Sequence, residues 1–106
     1  MTKLTDAQIA GMLEARPDWS ETGGAIQRTF DFADFAEAMR FVDRVAEAAE
    51  AAQHHPDILI RYNKVTLTLS THDAGGITEK DFALAAKVDE MRGPAPAAKG
   101  PRKKKM

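Results

Sequence analysis

Cysteine is absent from this 106-residue chain, which excludes disulfide bonds, a thiolate nucleophile and Cys-ligated zinc. Long apolar runs are missing too: no segment approaches the roughly 18 consecutive apolar residues of a membrane span. The opening residues, MTKLTDAQIA, hold no apolar stretch of the kind a secretory signal needs. Together these absences lead to the expectation of a cytoplasmic protein. Acidic residues are missing from the last stretch, GPAPAAKGPRKKKM, residues 93–106, which carries five positive charges. Residues 1–92 carry 10 Lys+Arg against 16 Asp+Glu, a net of −6, and so acidic a body argues against a nucleic-acid-binding domain. The tail, rich in Pro, Ala and Gly, has little to bury and is expected to be disordered. The organisation is therefore a domain over residues 1–92 and a basic tail over 93–106. Such a tail either contacts acidic partners or only adds solubility.

What is present suits one small domain with a modest core, which oligomerisation would help. Thr5 and Gln8 form a capping-box pair, with Leu4 and Ile9 placed as a hydrophobic staple, so a first helix starts there and stops before Pro17. Gly23 and Gly24 separate two short extended runs as a two-residue hairpin turn would. On the second run Ile26, Arg28, Phe30 and Phe32 share a face, and an arginine among apolar residues implies partial burial or a carboxylate partner. Residues 33–52 carry Phe35, Met39, Val42, Val45 or Ala46, and Ala49 at helical spacing. Two alternating runs, residues 57–62 and 65–70, flank a turn expected at Asn63 and Lys64, with Leu59 and Tyr62 assigned to a face packed on helices. Thr78 and Asp81 repeat the capping box, Ile77 and Phe82 the staple, and Leu84, Ala85, Val88 and Met91 continue the last helix to about Arg92. The order α-β-β-α-β-β-α predicts an α+β fold: a four-stranded antiparallel sheet with three helices on one face.

All three histidines, His54, His55 and His72, lie at the two ends of the second hairpin. Pairing the strands brings His54, His55 and Pro56 towards Thr71, His72 and Asp73. Three chemistries fit. Imidazoles donate and accept protons near neutral pH; three of them bind a metal with an open position; or they merely satisfy hydrogen bonds at strand ends. Asp81 likewise reads either as a helix cap or as the carboxylate that orients a histidine ring.

The stretch HHPDILIRYNKVTLTLSTHDAGGITEKD, with IQRTFDFADFAEAMRFVDRVAEAAE upstream, resembles the pterin-4a-carbinolamine dehydratases over residues 4 to 92. The resemblance implies the α+β fold and a hydro-lyase converting 4a-hydroxytetrahydrobiopterin to quinonoid dihydrobiopterin and water. It implies a recycling role for an aromatic amino-acid hydroxylase, with neither metal nor other cofactor. It carries catalytic roles onto His54, His55, His72 and Asp81. Substrate contacts fall on His54, His55, Pro56, Thr71, His72, Asp73 and Ala74. The implied assembly is a homodimer or homotetramer, away from membranes. Rival readings within the resemblance are a non-enzymatic oligomeric adaptor, like the members that partner a homeodomain transcription factor, and a dehydratase for another pterin, as in molybdenum-cofactor metabolism.

Overall fold

Each element begins where its local chemistry directs. In the computed structural model, which describes residues 2–93, helix α1 (Asp6–Glu14) is started by a reciprocal cap. The Thr5 hydroxyl accepts from the Gln8 N–H at 3.1 Å, and the Gln8 side chain accepts from the Thr5 N–H at 2.8 Å. Strands β1 (Ser20–Thr22) and β2 (Ala25–Asp31) are joined by Gly23 and Gly24 at φ +56° and +81°, the left-handed pair a tight hairpin requires. Helix α2 (Phe35–Ala52) is capped by Asp34. Strands β3 (Asp57–Arg61) and β4 (Lys64–Leu69) form the second hairpin, and a one-turn 3₁₀ helix (His72–Ala74) leads to α3 (Glu79–Arg92). The expected basic tail beyond Gly93 lies outside the described residues.

The sheet order is β1-β2-β4-β3, antiparallel throughout, so the α+β architecture is as the sequence predicts. Register places Ile26 opposite Leu69, Arg28 opposite Leu67 and Phe30 opposite Val65, and this face carries the core against the helices. The opposite face is polar, with Thr29 and Thr66 hydroxyls 2.7 Å apart across the strands. Two corrections concern the β3–β4 hairpin. Its turn is Tyr62 and Asn63, one residue earlier than expected, because Lys64 belongs to the β4 ladder opposite Asp31. Asn63 holds the turn in place: its side chain donates to the Phe32 carbonyl at 2.9 Å, and its own carbonyl accepts from the Phe32 N–H at 2.9 Å. Leu59 and Tyr62 are exposed, not packed on helices: Leu59 pairs with Thr66 and so lies on the sheet face turned away from the helices, and Tyr62 is in the turn.

A third correction concerns α2. The buried stripe runs through Ala38, Phe41, Val45 and Ala49, while Phe35 is 49% exposed. Phe41 packs its ring 4.9 Å from both Phe30 and Phe32, so the aromatic centre of the core lies one helical step from the expected stripe. Arg28 has the carboxylate its position implied. Asp89 of α3 accepts from Arg28 at 2.7 Å, from the Trp19 indole at 3.0 Å and from Arg16 at 3.1 Å, joining β2, the α1–β1 loop and α3. No helix among the described residues is long and apolar enough to cross a membrane.

The stripe assignment has a direct test in urea denaturation. Phe41→Ala should cost about 3–5 kcal/mol as a cavity opens beneath the sheet, whereas Phe35→Ala should cost less than about 1 kcal/mol. Equal losses would contradict the burial pattern.

Candidate active site

The path from α2 into β3 decides where the first two histidines point. Helix α2 ends as Gln53 adopts a left-handed conformation, φ 52° and ψ 43°, and the His54 N–H still donates to the Ala49 carbonyl at 3.0 Å. That turn sends His54 inward, leaving the residue 8% exposed. The chain is then extended towards Pro56, so the next side chain points the other way. His55 is at the surface, its Nε2 2.5 Å from a Glu50 carboxylate oxygen on the last turns of α2.

Inside, His54 Nε2 lies 2.5 Å from Asp81 Oδ1. Asp81, fully buried, is the N3 residue of α3, and its Oδ2 accepts the Thr78 N–H at 2.9 Å and the Thr71 hydroxyl at 2.9 Å. Thr71 has one proton and gives it to Asp81, so in the 2.7 Å contact between the Thr71 and Thr78 hydroxyls Thr78 is the donor. The Thr78 oxygen in turn accepts the Lys80 N–H at 3.2 Å. Every proton in this chain is thereby oriented towards one carboxylate. With both backbone and hydroxyl donors on Oδ2, Oδ1 remains for the imidazole. A donor at Nε2 towards the Asp81 carboxylate leaves Nδ1 as the ring nitrogen outside that bond.

The third histidine is carried by the loop that Thr71 closes. The Thr71 and Gly76 backbones exchange hydrogen bonds at 2.8 and 3.3 Å, and Gly75 at φ +77° completes the 3₁₀ turn. His72 and Asp73 are exposed on this turn and Ala74 is half-buried. No side-chain hydrogen bond or ion pair reaches His72 among the described residues.

Of the residues singled out in the sequence, the fold therefore joins His54, Thr71 and Asp81 directly, with Thr78 between them. Pro56 is half-buried at the entrance to β3, while His55, His72 and Asp73 stand outside. Among the described residues no three His, Cys, Asp or Glu side chains converge as a metal-binding group. Asp81 proves to be both cap and ring orienter, so the two readings of its sequence position are one arrangement. Sequence reasoning missed Glu50. The signal available was a carboxylate in the last turns of a helix that ends just before paired histidines.

The chain is similar to known proteins over nearly all of its described length. The family described as pterin 4 alpha carbinolamine dehydratase matches residues 2–91. A Chloroflexus aurantiacus protein provisionally named pterin-4-alpha-carbinolamine dehydratase is 60% identical over 93 residues, 88% of this chain and 100% of that one. A Thermomicrobium roseum protein with the same provisional name is 58% identical over 91 residues, 86% and 98% of the two chains. The crystal structure of a transcriptional coactivator/pterin dehydratase from Brucella melitensis superposes with a TM-score of 0.83 at 36% identity, covering 87% of this chain and all of that one. A pterin dehydratase-like protein, identified as a RuBisCO assembly factor in the alpha-carboxysome, gives a TM-score of 0.63 at 30% identity, covering 74% and 93%.

Removing an acceptor from the buried network should show in stability. Asp81→Asn should cost about 2–4 kcal/mol, because an amide cannot accept all three donors. Thr71→Val should cost about 1–2 kcal/mol. Combined, the two should depart from additivity by more than about 0.5 kcal/mol in a double-mutant cycle followed by urea denaturation. Strict additivity would mean the network does not act as a unit.

Proposed function

The chain belongs to the pterin 4α-carbinolamine dehydratase family, and on that premise we propose that it dehydrates 4a-hydroxytetrahydrobiopterin to quinonoid dihydrobiopterin. In this reading it recycles the pterin of an aromatic amino-acid hydroxylase. The observation that carries the reading is the division among the histidines. One imidazole is held by a buried carboxylate, and two stand exposed at the same end of the hairpin.

The reaction breaks the C4a–O bond and removes the N5 proton. The electron pair of the N5–H bond becomes the new C4a=N5 bond, and the hydroxyl leaves as water after accepting a proton. One acid and one base are sufficient, and each returns to its starting state once the proton taken from N5 is passed on. His54, its tautomer set by Asp81, offers Nδ1 as the base for N5. His55 and His72 are the groups placed to protonate the leaving hydroxyl, with Glu50 a positioning residue that acts through His55. Pro56, Thr71, Asp73 and Ala74 frame the approach.

The similarity to an assembly factor and to a coactivator/dehydratase supports a second reading, an oligomeric adaptor in which the histidines are idle. The decay of enzymatically generated 4a-hydroxytetrahydropterin, followed by ultraviolet absorbance, separates the two. Wild type should accelerate it, and His55→Ala and His72→Ala should each be slower by about 10²–10⁴-fold with melting temperatures almost unchanged. His54→Ala should lose rate and stability together, since it leaves Asp81 short of a partner. No acceleration by wild type would sink the dehydratase reading in favour of the adaptor or of another pterin, such as one of molybdenum-cofactor metabolism.

A second copy of the chain is the partner we propose, through β3. This edge strand exposes Ile58 (38%) and Leu59 (55%), and its sequence, Asp57-Ile58-Leu59-Ile60-Arg61, is complementary to itself when run antiparallel about Leu59. In that register each Asp57 faces an Arg61 and each Ile58 an Ile60, so unpaired backbone groups and opposite charges are satisfied together. Sedimentation velocity tests this: Asp57→Lys should shift the protein towards monomer, and adding Arg61→Asp should restore the assembly. An unchanged sedimentation coefficient in both would place the contact elsewhere.

A further inference from the structure

The loop that carries His72 is held differently at its two feet. At the incoming foot, the Thr71 hydroxyl is tied to Asp81 and Thr78. At the outgoing foot, across the bridge from Thr71, stands Gly76, which has no side chain to hold it. Gly76, unlike Gly75, is not in the left-handed region, so backbone conformation does not call for glycine there. A remote contact calls for it instead. A Cβ built at position 76 would stand 2.6 Å from Lys3 Cδ and 3.1 Å from Lys3 Cγ, inside the roughly 3.5–4.0 Å at which carbons rest against one another. The Lys3 stem therefore occupies the place of the missing side chain. Leu4 repeats the contact in backbone: its N–H donates to the Ile77 carbonyl at 2.8 Å, and its side chain packs against the core. Thr5, which follows, is fixed as the N-cap of α1. Lys3 forms no ion pair among the described residues, so its visible contact is made by the stem.

We propose that Lys3 and Leu4 form a strap that positions the loop of His72, with the Lys3 stem and Gly76 as complementary halves of one contact. The proposal rests on the dehydratase reading and deepens it, since His72 is one of the groups assigned there to protonate the leaving hydroxyl. His72 and Asp73 stand exposed on the loop, so the place of the ring depends on the two feet. Asp81 sets one foot through Thr71, and the strap sets the other. Lys3 touches no reacting group and is a positioning residue. Misplacing a reacting group by about 1 Å costs up to about 10²-fold in rate, so release of one foot shows in turnover before it shows in stability.

Two variants of the full chain break the contact from opposite sides while keeping the Leu4 bond. Lys3→Gly removes the stem. Gly76→Ala drives it off, at little cost in stability, because a four-carbon lysine stem is free to swing aside. In both, the amides of Ala74 and Gly75, which donate to the Thr71 and His72 carbonyls at 3.0 Å, should exchange for deuterium about tenfold faster. Turnover of enzymatically generated 4a-hydroxytetrahydropterin should slow about tenfold in kcat, with melting temperatures almost unchanged. Lys3→Met, which keeps an unbranched stem without the charge, should behave as wild type in both measurements. In a His72→Ala background, adding Lys3→Gly should change kcat by less than about twofold, because the strap acts through that ring. Unchanged exchange in Lys3→Gly and Gly76→Ala overturns the strap, and a defect in Lys3→Met overturns the stem as its basis. Faster exchange with unchanged kcat overturns the role in the reaction, as does a loss of rate that persists in full in His72→Ala. Each of these leaves the dehydratase reading standing. No turnover by wild type overturns that reading and the positioning role with it.

Discussion

One buried carboxylate organises the candidate site of this molecule. Asp81 has no exposure to solvent, and a charge so placed is tolerated only when its oxygens are filled by donors. The donors come from three places in the fold: His54 just after α2, Thr71 just beyond β4, and Thr78 at the start of α3. Satisfying Asp81 therefore fixes the entry to one hairpin and the exit from it relative to a helix. The loop bearing His72 begins at Thr71, so the same carboxylate sets the start of that loop. What looks like an ordinary capping residue is the point through which the histidine-bearing segments are registered against one another.

A second carboxylate of α3, Asp89, does comparable work at the other end of the helix, with a different outcome. It gathers Trp19, Arg16 and Arg28, and Arg28 also lies 4.2 Å over the Phe30 ring. All its partners are permanent donors, indole or guanidinium, which leave no proton to exchange near neutral pH. Asp81 holds an imidazole instead, whose second nitrogen remains available. The two anchors show how one helix serves both as a structural staple and as the support of a titratable group.

Most of the architecture was legible because it rests on local rules. Both capping boxes, the Gly23 and Gly24 turn and the alternation of β4 need nothing beyond neighbouring residues. The misreadings arose where a remote contact decides. Phe35 and Phe41 both lie on helically spaced apolar stripes of α2, and periodicity cannot choose between them. Docking onto Phe30 and Phe32 does. The turn at Tyr62 and Asn63 is set by bonds to Phe32 in another hairpin, and a positive φ on tyrosine is not something local preference suggests. Leu59 read as core because it is apolar, but its register opposite Thr66 puts it on the sheet face turned away from the helices. In the candidate site His54, His55, His72 and Asp81 were singled out from the motif, and the structure joins His54 to Asp81. Which ring turns inward was not, because that depends on the left-handed Gln53 at the end of α2.

The division among the histidines changes the weight each carries in the functional argument. His54 and Asp81 would be retained by the fold alone, since losing either strands a buried polar group. Their pairing is accordingly the weaker sign of chemistry. His72 is exposed and its side chain is bonded to nothing among the described residues, and the His55–Glu50 pair is a surface contact of the kind that contributes little to stability. A domain this small gains no visible structural benefit from placing either ring where it is. Two exposed imidazoles with no structural duty, at the same end of the hairpin as one held by Asp81, are what the proposed elimination asks for and what packing does not.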